Sequence, residues 1–206
     1  MGKHAQSIDK KIVDRIRAKG RGCVFTPSDF LDLGSRDAVD QALSRHAKLG
    51  TIRKLARGLY DYPRKHRKLG HLTPTTDTIA RALAGRDASR IQPSGAYAAN
   101  LLGLSDQVPM RAVLLTDGLT RNVRLGRQSI ILKHTTPKNM ATAGKISGLV
   151  IQALRYIGRT HVDDTVISRL RRKLRKEDKH QLLKDAAYAP AWVADVIRIV
   201  ASAQKG

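Results

Sequence analysis

Between Ser7 and Tyr62 the chain alternates helix, strand and turn signals at a spacing that leaves few ways to fold. Ile8, Ile12, Val13 and Ile16 share one face at the helical period behind Ser7 as an N-cap, with Lys10, Lys11, Arg15 and Arg17 on the other face. Gly20 and Gly22 break that pattern, Cys23-Val24-Phe25-Thr26 reads as a short strand, and Pro27 opens a brief second helix over residues 28–33. Gly34 closes it and Ser35 caps a third helix, in which Val39, Ala42, Leu43 and His46 turn inward. Arg36, Asp37, Gln41, Ser44, Arg45 and Lys48 stay outward.

After Gly50, Thr51-Ile52-Arg53-Lys54-Leu55 and Leu59-Tyr60-Asp61-Tyr62 flank a three-residue connection, Ala56-Arg57-Gly58, which predicts a hairpin. Helix, strand, helix, turn, helix and basic hairpin is the order of a winged helix-turn-helix. In such a domain the third helix enters the major groove, so Ser35, Arg36, Gln41, Ser44, Arg45 and Lys48 are the expected DNA-binding face; Arg, Gln and Ser suit base edges. Arg53, Lys54 and Arg57 on the hairpin are expected to neutralise phosphates and fix register without reading sequence. The plainer reading of the segment is a small helical domain with a solvated charged face. His46 reads as a core histidine and Cys23 as a small buried hydrophobe.

The chain of 206 residues carries 39 Lys/Arg against 17 Asp/Glu, a formal net charge of +22, so a polyanionic partner is the default expectation. Residues 1–70 hold 17 Lys/Arg and 7 Asp/Glu, so the basic excess is shared by the remainder. A division follows: residues 1–70 as the DNA-binding domain and basic linker, 71–206 as a second domain. Arg64-Lys65-His66-Arg67-Lys68-Leu69-Gly70 after Pro63 is the linker and could lie along a phosphate backbone, with Arg64, Lys65 and Arg67 as its expected DNA-contacting residues. No apolar run reaches bilayer length and residues 1–6 lack a signal-peptide core, which predicts a cytoplasmic protein with no membrane partner. A single cysteine precludes an intramolecular disulfide and a Cys-rich zinc site.

Beyond the linker a helix capped at Thr75 or Thr76 ends at Gly85, and a short helix over 96–102 follows the turn Pro93-Ser94-Gly95. Residues 111–117 read as a buried strand, 122–125 and 128–134 as a hairpin around Gly126-Arg127, and 147–157, 162–175 and 191–202 as helices. The expected fold class is α+β: a winged helix-turn-helix, then a mixed α+β domain with a helical tail.

The winged-helix start, the run Arg57-Gly58-Leu59-Tyr60-Asp61-Tyr62-Pro63, the run from Pro93 to Leu104 with Gln107-Val108-Pro109 after it, and the strand end Leu115-Thr116-Asp117-Gly118 carry a resemblance to the AbiEi family. These are bacterial antitoxins of type IV toxin–antitoxin systems, and the resemblance covers most of the chain. It implies a repressor that binds inverted repeats in its own promoter. It also implies a second domain that counters a nucleotidyltransferase-like toxin without a stable complex. The chain is separately expected to be a monomer in solution.

Catalytic signatures are sparse. Glu177 is the single glutamate, so mechanisms built on paired glutamates lack parts. Ile131-Leu132-Lys133 has isoleucine where a metal-dependent nuclease needs an acid, and Gly144-Lys145-Ile146-Ser147 fails the phosphate-loop pattern at its first glycine and at Ile146. No enzyme, metal or cofactor is expected. Arg169, Arg171, Arg172, Lys173, Arg175 and Lys176 nearly encircle one predicted helix around Leu170 and Leu174. This cluster is read either as a second nucleic-acid or antitoxin surface or as a solvated helix. Aromatics at 4% argue against base stacking as the main binding mode. The alternative to the repressor is a general RNA-binding or ribosome-associated basic protein; an enzyme acting on nucleic acid ranks third.

Overall fold

The computed structural model describes residues 7–85 and 89–202, which fall into two compact units, Met1–Ala88 and Ser89–Gly206. Residues 1–6, where the absent signal-peptide core was read, lie outside the described residues. The architecture is α+β.

The first unit opens with α1, Ile8–Lys19, where Ser7 Oγ accepts from the Lys10 amide at 3.3 Å and Gly20 ends the helix at φ +81°. β1, Val24–Phe25, leads into a 3-10 turn over Pro27–Phe30, entered by Thr26, whose amide donates to Asp29 at 2.8 Å. That turn is shorter than the helix expected over 28–33. α2, Arg36–Lys48, follows, with Ser35 Oγ accepting from the Ala38 amide at 3.3 Å. Ile12, Ile16, Phe25, Phe30, Val39, Leu43, Ile52 and Tyr60 form the core. Phe25 meets Phe30 edge-on at 5.5 Å and stacks near Tyr60 at 6.3 Å.

β2, Arg53–Ala56, and β3, Leu59–Asp61, complete a three-stranded antiparallel sheet in the order β1-β3-β2. Ala56 belongs to the strand, so the connection is two residues, Arg57-Gly58, and the register slips between Lys54 and Ala56. The expected linker is also a hairpin: β4, Lys65–His66, pairs with β5, Gly70–His71, around Arg67-Lys68-Leu69. His66 Nδ1 organises this turn by accepting from the amides of Lys68 at 3.3 Å and Leu69 at 3.2 Å. α3, Thr76–Ala84, capped by Thr75, packs against β1 and belongs to the first unit. The division between units therefore falls after residue 88 rather than after residue 70.

The second unit holds a four-stranded sheet in the order β6-β7-β9-β8, formed by β6, Ile91–Ser94, β7, Arg111–Thr116, β8, Arg121–Leu125, and β9, Gln128–His134. β7 and β9 are parallel, with buried rungs Ala112 against Ile130 and Leu114 against Leu132; the other pairings are antiparallel. Pro93 sits in the edge strand β6, the sheet position that tolerates a missing N–H. α4, Gly95–Leu101, follows β6, and the short α5, Pro137–Met140, follows β9.

The tail comprises α6, Ile146–Ile157, α7, Asp164–Lys173, α8, Lys176–Asp185, and α9, Ala191–Ala201. With α4 these helices enclose a core including Ala98, Leu102, Val150, Leu154, Leu170, Leu182, Val193 and Ile197. The helix expected over 162–175 stops at Leu174, whose φ of −92° and ψ of 129° are extended, and α8 starts anew with the Arg175 amide donating to Asp178 at 3.0 Å. Buried Asp185 ties α8 to the start of α6 by accepting from Ser147 Oγ, from Gln181 at 2.8 Å and from Lys145 at 3.2 Å. Burial pushes the Asp185 carboxyl up, and those hydrogen bonds more than offset it, holding it below the usual carboxylate value.

Candidate nucleic-acid interface

The outer face of α2 is built by periodicity. Val39, Ala42 and Leu43 are buried, which turns Gln41, Ser44, Arg45 and Lys48 to solvent. These four and Leu49 line a depression of about 540 Å³. Arg45 is held by Asp9 of α1 at 2.8 Å, and that guanidinium lowers the Asp9 carboxyl below its usual value. Arg36 pairs with Asp40 at 2.9 Å, and Ser35 spends its hydroxyl oxygen on the helix cap. His46 lies on the inward side, its Nε2 3.3 Å from Asp9 without hydrogen-bond alignment. Its carbonyl accepts from the amides of Thr51 at 3.0 Å and Ile52 at 3.4 Å, which turns the chain from α2 into β2.

On the β2–β3 hairpin the three expected cations separate into two kinds. Lys54 and Arg57 are exposed. Arg53 is instead locked to Asp61, which is fully buried, by hydrogen bonds of 3.1 and 2.6 Å, and it also donates to the Leu72 carbonyl at 3.0 Å. Arg53 is thus a structural ion pair, and the expectation of a free cation there is corrected: its partner lies across the hairpin, outside local sequence patterns. Arg64, Lys65 and Arg67 are exposed on the second hairpin, with Lys68 and Leu69 of the same expected linker, Leu69 at 72% exposure. Arg21, which the sequence reading overlooked, covers the Tyr62 ring at 4.7 Å and donates to the Pro63 carbonyl at 3.1 Å.

The second basic cluster does not encircle one helix. Arg169, Arg171, Arg172 and Lys173 end α7, while Arg175 and Lys176 begin α8. Arg169 donates to the Gly103 carbonyl at 3.2 Å, Arg171 to the Ile199 carbonyl at 2.6 Å, and Arg175 pairs with Asp178 at 3.3 Å. Arg172, Lys173 and Lys176 are exposed. Lys179 and His180, which the single-helix reading missed, join Arg171, Arg172 and Lys176 around a cleft of about 500 Å³.

Other candidates resolve simply. Cys23 is half-buried near the Ile16 carbonyl, and burial pushes its thiol up, away from nucleophilic character. Among the described residues no group of three His, Cys, Asp or Glu could hold a metal ion, and no helix is long and apolar enough to cross a membrane.

An α+β chain of two units with exposed basic surfaces on each is what fold and geometry define. The chain belongs to a family of unknown function, DUF6088, which it matches over residues 11–182. It is similar in fold to the crystal structure of the Rv2827c protein from Mycobacterium tuberculosis, with a TM-score of 0.50 and 14% identity over 98% of this chain and 79% of that one. No curated protein matches it.

Proposed function

We propose that the first unit is a winged helix-turn-helix and that the chain is a sequence-specific repressor of its own promoter, binding inverted repeats in duplex DNA. The observation that carries this reading is the face of α2. Gln41, Ser44, Arg45 and Lys48 share one exposed depression on an uninterrupted helix, and a hairpin bearing exposed Lys54 and Arg57 follows that helix directly. Amide, hydroxyl and guanidinium groups can pair with base edges, whereas hairpin cations meet phosphates without regard to sequence. The second hairpin, with Arg64, Lys65, Arg67 and Lys68, extends the phosphate contact.

The same proposal assigns the chain to the cytoplasm, as the antitoxin of a type IV system that counters a nucleotidyltransferase-like toxin without a stable complex. The resemblance to AbiEi antitoxins supports that part.

Fluorescence anisotropy with the chain's own upstream DNA tests the repressor reading: affinity should exceed that for scrambled DNA by roughly a thousandfold or more. Equal affinity for both would refute it. Gln41→Ala should relax base preference, while Arg57→Ala should weaken all sequences and reduce the salt slope by about 0.9. For the antitoxin part, expression in trans should relieve growth arrest by a nucleotidyltransferase-like toxin encoded beside it; absence of rescue rejects that role.

A further inference from the structure

We propose that the cleft lined by Arg171, Arg172, Lys176, Lys179 and His180 in the second unit binds a cluster of phosphates, two or more phosphoryl groups carried together on one ligand. This site belongs to the second unit and does not depend on the DNA-binding reading.

Charge is the first argument. Four cations and an imidazole line the cleft with Ala201 and Ser202, and among the described residues no carboxylate is in the lining. Of the acids next in sequence, Asp178 is already engaged by Arg175 and Glu177 is exposed outside the lining. Like charges gathered in one concavity repel, and an anion relieves that repulsion. One phosphate monoester carries about two negative charges, so two or more phosphates match four cations.

Preorganisation is the second. Arg171 is anchored by the Ile199 carbonyl at 2.6 Å and Ser202 Oγ at 3.5 Å. Both partners are neutral, so the guanidinium is fixed in place with its charge unspent. The break at Leu174 lets two helices contribute: Arg171 and Arg172 from the end of α7, Lys176, Lys179 and His180 from the start of α8.

Shape is the third. A concavity of about 500 Å³ is the size of a small-ligand pocket, which typically spans about 300–1,000 Å³. Among the described residues no Phe, Tyr or Trp lines it to stack a base, so the phosphates are the recognised group. The neighbouring cleft that shares Arg172 is different: Asp106 lines it, and its Arg169 is turned to the Gly103 carbonyl. Phosphates clustered in this way occur on free nucleoside di- and triphosphates and at the triphosphorylated 5′ end of an RNA strand.

Isothermal titration of the full chain with inorganic tripolyphosphate tests the proposal. Saturable one-to-one binding is expected, weakened about a hundredfold by Arg172→Gln with Lys179→Gln, roughly tenfold per charge-assisted contact. Arg124→Gln with Arg127→Gln, exposed residues outside the cleft, should leave it unchanged, and circular dichroism should show both double variants folded. Absence of saturable binding, or equal weakening by both pairs, would overturn the site. Competition separates the two sources: ATP displacing the probe more strongly than short 5′-triphosphorylated RNA indicates a free nucleotide, and the reverse order a strand end. If 5′-hydroxyl RNA competes as well as triphosphorylated RNA, the cleft holds a strand backbone and the phosphate-cluster assignment falls. Loss of operator binding would not bear on any of these outcomes.

Discussion

Both units are rich in arginine, but they use it differently. In the first, Arg15, Arg36, Arg45 and Arg53 each meet an aspartate, namely Asp32, Asp40, Asp9 and Asp61. The exposed cations there are spread over α1 and the loop after it, the outer face of α2, two hairpins and α3. Around the α7–α8 break, only Arg175 of the six clustered cations meets a carboxylate among the described residues. Spread, register-held cations suit a long polyanion, and concentrated, uncompensated ones suit a compact anion. What a surface can bind follows from what each arginine is already bonded to, more than from how many there are.

The largest effect should come from breaking that contrast inside one hairpin. Arg53→Ala leaves Asp61 buried and unpaired and should cost about 3–5 kcal/mol of first-unit stability in urea unfolding. Arg57→Ala, at the exposed turn of the same hairpin, should change stability by no more than about 0.5 kcal/mol. Similar costs for the two would erase the distinction between structural and contact arginines. Next, Gly148→Ala should destabilise the second unit by about 1–3 kcal/mol, because a Cβ there would lie 2.3 Å from the Thr142 carbonyl oxygen and 2.4 Å from Gln92 Oε1. Fluorescence of Trp192, which packs against the helical core of that unit, reads this out. Ser35→Ala should cost about 1 kcal/mol through the lost cap on α2.

The smallest effect is a pH dependence of the second unit. The Asp185 carboxyl is lowered in the folded state, so it contributes stability above the ordinary value of 3.8, and that contribution is lost as pH falls through the folded value. Stability followed by Trp192 should therefore decline more steeply from pH 4 to pH 2 in the native chain than in Asp185→Asn. Identical acid slopes would show that Asp185 contributes nothing to the linkage between α6 and α8.

Helices whose ends are set by local chemistry were legible in the sequence. Ser7, Ser35 and Thr75 each cap the helix expected of them, and the Gln128–His134 strand pairs with its neighbour in the hairpin expected around Gly126-Arg127. Non-local features were not. Pro93 made β6 read as a turn, and the parallel pairing of β7 with β9 has no signature within either strand. The α7–α8 break was hidden because Arg and Lys are good helix formers, although Glu177 and Asp178 supply the acidic first turn of a new helix. Of the proposed site, the outer face of α2 was readable from periodicity, but the Arg53–Asp61 pair and the inclusion of Lys179 and His180 required three-dimensional packing. The runs that carry the family resemblance mainly hold the fold together. Tyr60 fills the core, Asp61 locks Arg53, Asn100 donates to the Ser105 and Gln107 carbonyls at 3.2 and 3.1 Å, and Asp117 accepts from Arg90 at 2.8 Å.

The β4–β5 hairpin combines a tied base with an exposed tip. Leu72 donates to the Arg64 carbonyl at 2.8 Å and receives Arg53 on its own carbonyl, while Arg67 and Lys68 stand in solvent. Such a loop is a natural trypsin site that can be nicked without releasing either strand end. A polyanion lying over it would shield the cut, so the rate of that one cleavage becomes a built-in footprint of occupancy, readable without labelling the chain.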